Sequence, residues 1–241
     1  MNRKNAQRRF VFACLAPAVV LVVLFIFVPT VNVFRMSLYR MGGITNKKEF
    51  VGLYNFKTLM GDKNFLQAMQ NSITIIVMVM VCTIVLAILF AALLSRGKFK
   101  GKNFFRVIFY IPNILSIVVI AGIFGAIYDP SNGLLNTFLE AVHLDFLKHQ
   151  WMGDPNIVLY SVIFALVWQA IGYYMVMYMA SMAAIPEDLY EAASLDGATE
   201  IQMFFQVTLP LIWSNIRTTL TFYIISTINL SFLFVQIMSN G

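Results

Sequence analysis

The chain has 241 residues, 60% of them apolar and 12% charged, with a formal net charge of +6 and a mean hydropathy of +0.78. A soluble domain is about 45–50% apolar and about 25% charged, so a water-soluble globular fold is excluded. Strand-type alternation is absent as well, which sets aside a β-barrel and predicts an all-α integral membrane protein.

A helix needs about 20 apolar residues to cross the roughly 30 Å of hydrocarbon in a bilayer. In chain order, five stretches qualify: 10–38, 71–94, 107–128, 157–185 and 211–238. Ahead of the first stand Arg3, Lys4, Arg8 and Arg9, which resemble a secretory or twin-arginine signal. The apolar run is longer than the ~7–15 residues of a signal core and no small-residue cleavage site follows, so it reads as an uncleaved first span. Arg35 lies near the far end of that span, and Arg217 is the one charge in the last. A charge at mid-membrane costs about 2.5–3.5 kcal/mol, and Arg217 reads as snorkelling to the inner interface. Cys14 and Cys82 both fall inside spans, where a disulfide or a metal site is not expected.

Orientation follows from Lys and Arg in short loops, which mark the cytoplasmic side. The N-terminal cluster and a second one, Arg96, Lys98, Lys100, Lys102 and Arg106, are two crossings apart and share a side. The loop 129–156 has Lys148 against Asp129, Glu140, Asp145 and Asp154, as an outer loop should. The first outer loop, 40–70, argues back with Arg40, Lys47, Lys48, Lys57 and Lys63, at lower charge density. The reading is therefore a cytoplasmic N-terminus, with the segment 186–210 inside and the residues after 238 outside.

That inner segment carries Glu187, Asp188, Glu191, Asp196 and Glu200 and no Lys or Arg. Pro186 suits the first position of a helix, and the acids after it suit the dipole there. Leu189, Ala192 and Ala193 continue a helical face, and Gly197 supplies the left-handed residue that closes it. Thr199 and Gln202 have the spacing of a capping box that restarts a helix, with Ile201, Phe204 and Phe205 as its apolar stripe. Pro210 is expected to break the run and open the last span. A unit of this kind cannot bury its stripe alone and is built to dock.

Catalytic chemistry is not found. Residues 97–103 superficially suggest a Walker A loop, but three residues separate the glycines where four are needed, and Asn103 stands where Ser or Thr should bind magnesium. His143 and His149 match no metal motif and read as loop residues. The spans instead hold neutral polar and aromatic residues: Asn113 and Ser116 in the third; Gln169, Tyr173 and Tyr174, with Trp168 and Gly172, in the fourth; Thr221, Tyr223, Ser226, Thr227, Asn229 and Ser231 in the fifth. Such groups suit a neutral, polyhydroxylated solute passing through; the other reading is interhelical hydrogen bonding. Asn113, Ser116, Gln169, Tyr173, Tyr223, Ser226 and Asn229 are the candidate substrate-pathway residues.

Glu191-Ala192-Ala193, three residues, Gly197, nine residues and then Val207-x-Leu209-Pro210 is similar to the EAA motif of ABC importer permeases. The stretch FVGLYNF at 50–56, Ile111-Pro112-Asn113, and Asp129-Pro130 with Gly133-Leu134-Leu135-Asn136 resemble carbohydrate-uptake members of the same family, nearer the F-type subunit of maltose systems or the A-type subunit of glycerol-phosphate systems. The resemblance implies a type I ABC importer transmembrane domain spanning 1–241, usually with six spans, so that one further span would follow the five seen here. It implies a bacterial cytoplasmic membrane location and a coupling loop at 186–210 in which Glu191, Ala192, Ala193, Gly197, Leu209 and Pro210 engage a separate ATPase. ATP and magnesium would be used by that partner, with no cofactor in this chain. The partners implied are a second permease, two ATP-binding cassette subunits, an extracytoplasmic solute-binding protein and the lipid membrane, with no nucleic acid. The solute implied is a sugar or oligosaccharide. The alternative is an ion-gradient-driven secondary transporter or channel subunit, which would call for intramembrane acids and an inverted repeat, neither of which the sequence displays.

Overall fold

The computed structural model describes residues 3–41, 48–96 and 101–239, with side chains undescribed at 3, 5, 6, 96, 228–234 and 239. Lys47, the core of the Walker-like stretch at 97–100, and the side chains of Asn229 and Ser231 thus lie outside the described residues. The chain divides into two compact units, Met1–Met69 and Gln70–Gly241.

The first unit opens with α1 (Arg3–Val22), a π-helical turn (Val23–Phe27) and α2 (Val28–Ser37). Pro29 follows the π turn, where the Val28 N–H reaches back to the Val23 carbonyl. Proline lacks its own N–H and crowds the preceding turn, and a widened turn relieves both problems without ending the helix. The stretch Gln7–Ser37 buries none of its apolar window within the chain. Water would not tolerate so much exposed apolar surface; hydrocarbon does.

After α2 comes a hairpin, β1 (Tyr39–Met41) paired antiparallel with β2 (Lys48–Phe50). Strands of three residues are too short to show alternation, and this element is not visible in the sequence pattern. The FVGLYNF stretch builds the lock that holds it. Phe50 lies edge-on to Tyr39, with ring centroids 5.3 Å apart. Gly52 turns the chain with φ +56°, a conformation in which a Cβ is disfavoured. The Asn55 amide then donates to the carbonyls of Ser37 at 2.8 Å and Tyr39 at 3.1 Å, from the first turn of α3 (Tyr54–Gly61).

The long apolar helix α4 (Lys63–Arg96) lies in the second unit from Gln70 onward, where its buried side includes Ile75, Val79, Thr83, Ala87 and Ala91. The apolar stretch 107–128 is realised as two helices, α5 (Lys102–Ile114) and α6 (Ile117–Ile127), bent by 104°. Leu115 and Ser116 are extended at the bend, and the Ser116 hydroxyl caps α6 by accepting from the Val119 N–H at 3.4 Å. By length and apolar composition, three of the described helical stretches can cross a bilayer, or four when the bent pair counts as one span.

Beyond α6, the Asp129 carboxylate accepts from the N–H groups of Ser131 at 2.9 Å and Asn132 at 2.8 Å, which holds it below its ordinary pKa of 3.8. α7 (Leu134–Ala141) and a 3-10 turn (Asp145–Leu147) follow. Asn136 ties this loop together: its amide donates to the His149 carbonyl at 3.1 Å and its Oδ1 accepts from Trp151 Nε1 at 2.8 Å. Lys148 bridges Asp145 at 2.6 Å and Glu140 at 2.9 Å, and these two acids raise its pKa.

The core is centred on α8 (Val158–Ala183), where Val162, Ala165, Leu166, Met175 and Tyr178 are buried. α5 lies along α8 in the most extensive helix–helix contact of the unit. A Cβ on Gly172 would collide with the Phe109 carbonyl and stand 2.8 Å from Tyr110 Cα, so the two backbones approach as closely as they do because no side chain separates them. The chain closes with α9 (Glu187–Leu195), α10 (Glu200–Met203), a second π turn (Phe204–Thr208) and α11 (Leu209–Ser239). Buried hydroxyl pairs fix α11: Tyr223 meets Thr83 of α4 at 3.2 Å and Thr219 meets Tyr178 of α8 at 2.6 Å.

Two outcomes are expected. Gly172→Val should destabilise the detergent-solubilised protein by about 1–3 kcal/mol or prevent its recovery, because α5 must move off α8. Gly122→Ala, with nothing within 4 Å of the added carbon inside α6, should hold or slightly raise the thermal unfolding midpoint. For Asp129 the folded pKa lies below the unfolded one, so its stabilisation is present above 3.8 and lost as pH falls through the folded value. The protection factors of the Ser131 and Asn132 amides, taken against intrinsic exchange at each pH, should therefore fall on acidification below that pH, and Asp129→Ala should leave them low and flat across the same range.

Candidate functional site: the acidic loop and the polar cleft

Pro186 stands just ahead of α9, not at its first residue, with Glu187 and Asp188 in the first turn. The helix ends in a complete glycine cap. Gly197 has φ +79°, its N–H donates to the Ser194 carbonyl at 3.1 Å, and the Ala198 N–H donates to the Ala193 carbonyl at 2.9 Å. The capping box is present. Thr199 Oγ1 accepts from the Gln202 N–H at 3.4 Å, and Gln202 Oε1 accepts from the Thr199 N–H at 2.8 Å.

The expectation for Pro210 is corrected. The chain does not break there: α10 continues through the π turn into α11, which begins at Leu209 with Pro210 second. The Leu209 N–H donates to the Phe204 carbonyl five residues back. This wider loop makes room for the prolyl ring, as the first π turn does ahead of Pro29. The loop is thus a short helix capped by glycine, then a second helix continuous with α11.

Of the candidate coupling residues, Glu191 and Ala192 are exposed on α9, Ala193 is half-buried, and Leu209 and Pro210 lie past the π turn. Apolar side chains beside them face outward: Leu195 is 89% exposed, Ile201 71% and Phe205 59%. The expected stripe therefore divides, with Phe204 packed against the core and Ile201 and Phe205 left open. A tie that sequence does not display holds α9 in place, the Tyr190 hydroxyl 3.0 Å from Thr208 Oγ1 in the π turn. These residues are eighteen apart and carry no local signal of pairing.

Five of the candidate pathway residues, Asn113, Gln169, Tyr173, Tyr223 and Ser226, line one cleft of about 780 Å³ between α5, α8 and α11. Among the described residues no charged side chain lines it; Tyr174, Phe222, Thr219 and Thr227 add to its polar and aromatic surface. The Tyr223 hydroxyl is already paired with Thr83 at 3.2 Å, a partner that sequence spacing does not display. Ser116 does not line this cleft, since it caps α6 at the bend. The side chain of Asn229 is outside the described residues. His143 and His149 lie in the loop 129–156, and no group of three or more metal-type ligands occurs among the described residues.

Apolar helices long enough for a bilayer define a multi-pass membrane protein, and the cleft and the acidic loop are compatible with a transport subunit. Residues 83–241 match the family described as binding-protein-dependent transport system inner membrane component, and the chain belongs to it. It is an ABC-type permease component, a transport subunit and not an enzyme. Membership decides between the two sequence readings in favour of the importer subunit. A probable ABC transporter permease protein, YurN, of Bacillus subtilis is 39% identical over 86% of this chain and 70% of its own. The diacetylchitobiose uptake system permease protein NgcF of Streptomyces coelicolor is 29% identical over 95% of this chain and 67% of its own. Among solved structures, a bacterial alginate ABC transporter in complex with alginate pentasaccharide-bound periplasmic protein matches with a TM-score of 0.82 at 25% identity, covering 98% of this chain and 78% of that one.

The capping box yields a direct test. Thr199→Ala should cost about 1 kcal/mol locally and speed hydrogen exchange at the N–H of Gln202, while Thr199→Ser should restore protection.

Proposed function

We propose that this chain is the permease subunit of an ATP-driven importer for a neutral sugar or oligosaccharide. The observation that carries the solute class is the cleft: amides of Asn113 and Gln169 beside the rings of Tyr173 and Phe222, with no charge in its lining. Aromatic faces pack against the C–H faces of sugar rings, and amides exchange hydrogen bonds with hydroxyls as donors and acceptors. A bound anion would call for a cation there. Relatives named for diacetylchitobiose uptake and, at 31% identity, for multiple sugar-binding transport support the same class.

In this reading the N-terminus and the loop 186–210 are cytoplasmic. The loop docks a separate ATP-binding cassette subunit, one of two, which binds ATP and magnesium. A second permease completes the pathway, and a solute-binding protein delivers the sugar from outside. Glu191 offers a charge to the ATPase, and Ala192 and Ala193 let its surface approach closely. The exposed Leu195, Ile201 and Phe205 supply apolar area. Because α10 runs into α11 without a break, force on the docked loop passes through Leu209 and Pro210 into the last span.

The test uses the complex with its binding protein in proteoliposomes. Gly197→Asp introduces a side chain at φ +79° on the docking turn and should abolish sugar-stimulated ATP hydrolysis while leaving the protein in the membrane. Unchanged stimulation in that variant, or purification of a complex with no ATPase, would overturn the coupling role. Stimulation of wild type by anionic saccharides alone, across a panel of neutral and anionic ones, would overturn the solute class.

A further inference from the structure

A second cavity, of about 820 Å³, opens between α4, α5, α8 and the acidic loop, and of its lining the transport reading uses only Glu191. Its lining is divided in character. Leu94 of α4 and Val176, Met179 and Met182 of α8 make an apolar wall. Its polar part is lined by Lys102 and Arg106 of α5 and by Glu187, Glu191 and Glu200 of the loop. Ser95, whose buried hydroxyl oxygen has no hydrogen-bond partner among the described residues, lines it too. In the sequence, Lys102 and Arg106 read only as markers of membrane side. Here they share a cavity with three carboxylates.

That lining selects a ligand by charge. Two cations favour a phosphate, and basic pockets between spanning helices commonly take lipid head groups. Three acids in the same lining oppose a purely anionic head group. They favour an ammonium, whose three N–H donors can each reach a carboxylate in a charge-assisted hydrogen bond. A trimethylated ammonium has no such donors. The apolar wall fits hydrocarbon chains entering from the bilayer.

We propose that this cavity binds a phospholipid whose head group carries a phosphodiester and a primary ammonium, as in phosphatidylethanolamine. The phosphate meets Lys102 and Arg106, the ammonium meets Glu187 and its neighbouring acids, and the acyl chains lie along α4 and α8. The site ties the loop to the bilayer through a lipid, and it is independent of which solute is carried.

Native mass spectrometry tests this on the full chain, extracted with its partner subunits and exposed to equal amounts of phosphatidylethanolamine, phosphatidylcholine and phosphatidylglycerol. The expected result is about tenfold preferential retention of the ethanolamine lipid, as follows from one charged hydrogen-bond set. Lys102→Gln with Arg106→Gln, and separately Glu187→Gln, should each remove the preference, while Lys102→Arg should keep it. Equal retention of the three lipids by wild type, preference for the glycerol lipid, or a preference that survives the neutralising variants would overturn the proposal. The readout involves no transport, so its failure is distinct from failure of the importer reading.

Discussion

The backbone of α5 rests on α8 at Gly172, and both polar cavities depend on that contact. With hydrogen as its side chain, Gly172 admits the Phe109 carbonyl and the Tyr110 backbone, and α5 runs along α8 from there in both directions. Towards its C-terminus this brings Asn113 into the cleft with Gln169 and Tyr173. Towards its N-terminus it brings Lys102 and Arg106 into the cavity beside the acidic loop. The stacked pair Phe90 and Phe109, at 4.8 Å, joins α4 to the same place. One missing methyl group positions the residues of both cavities.

Polar residues within the helices divide into those that hold helices together and those that remain available. Thr83 with Tyr223 and Thr219 with Tyr178 are spent on each other in the core, where an unpaired hydroxyl would cost desolvation with no return. Asn215 is likewise spent on Ser181, at 2.7 Å. Asn113 and Gln169 line open space. The same residue types serve both ends, and a partner distant in sequence decides which, as Thr83 does for Tyr223.

How much is readable without coordinates follows the range of the physics. The closing turn at Gly197 and the box formed by Thr199 and Gln202 are local hydrogen-bond chemistry within a few residues, and both are plain in the sequence. The set Asn113, Gln169, Tyr173, Tyr223 and Ser226 is also legible, as neutral polar residues in otherwise apolar runs. The bend at Leu115 and Ser116 is not, because the apolar run continues through it and only backbone dihedrals change. The hairpin is not, because six residues carry no period. The tie between Tyr190 and Thr208 and the charged lining of the second cavity need three-dimensional proximity that no spacing records.

The π turn at Phe204–Thr208 has a consequence for which side of a helix a residue occupies. An α-helix advances about 100° per residue, so buried positions recur every three or four. From the end of the π turn along α11 they do: Thr208, Ile212, Ile216, Thr219, Tyr223 and Thr227 are all buried. Carried back at that rhythm, the same face would include Phe204 and Ile201. The next buried residue is instead Met203, five before Thr208, while Phe204 is half-buried and Ile201 points outward. The extra residue works as a phase shifter. It lets a single continuous rod keep one face registered to its own bundle while its leading end presents another face to the outside, and loss of one residue between 204 and 208 would turn that end back into the bundle.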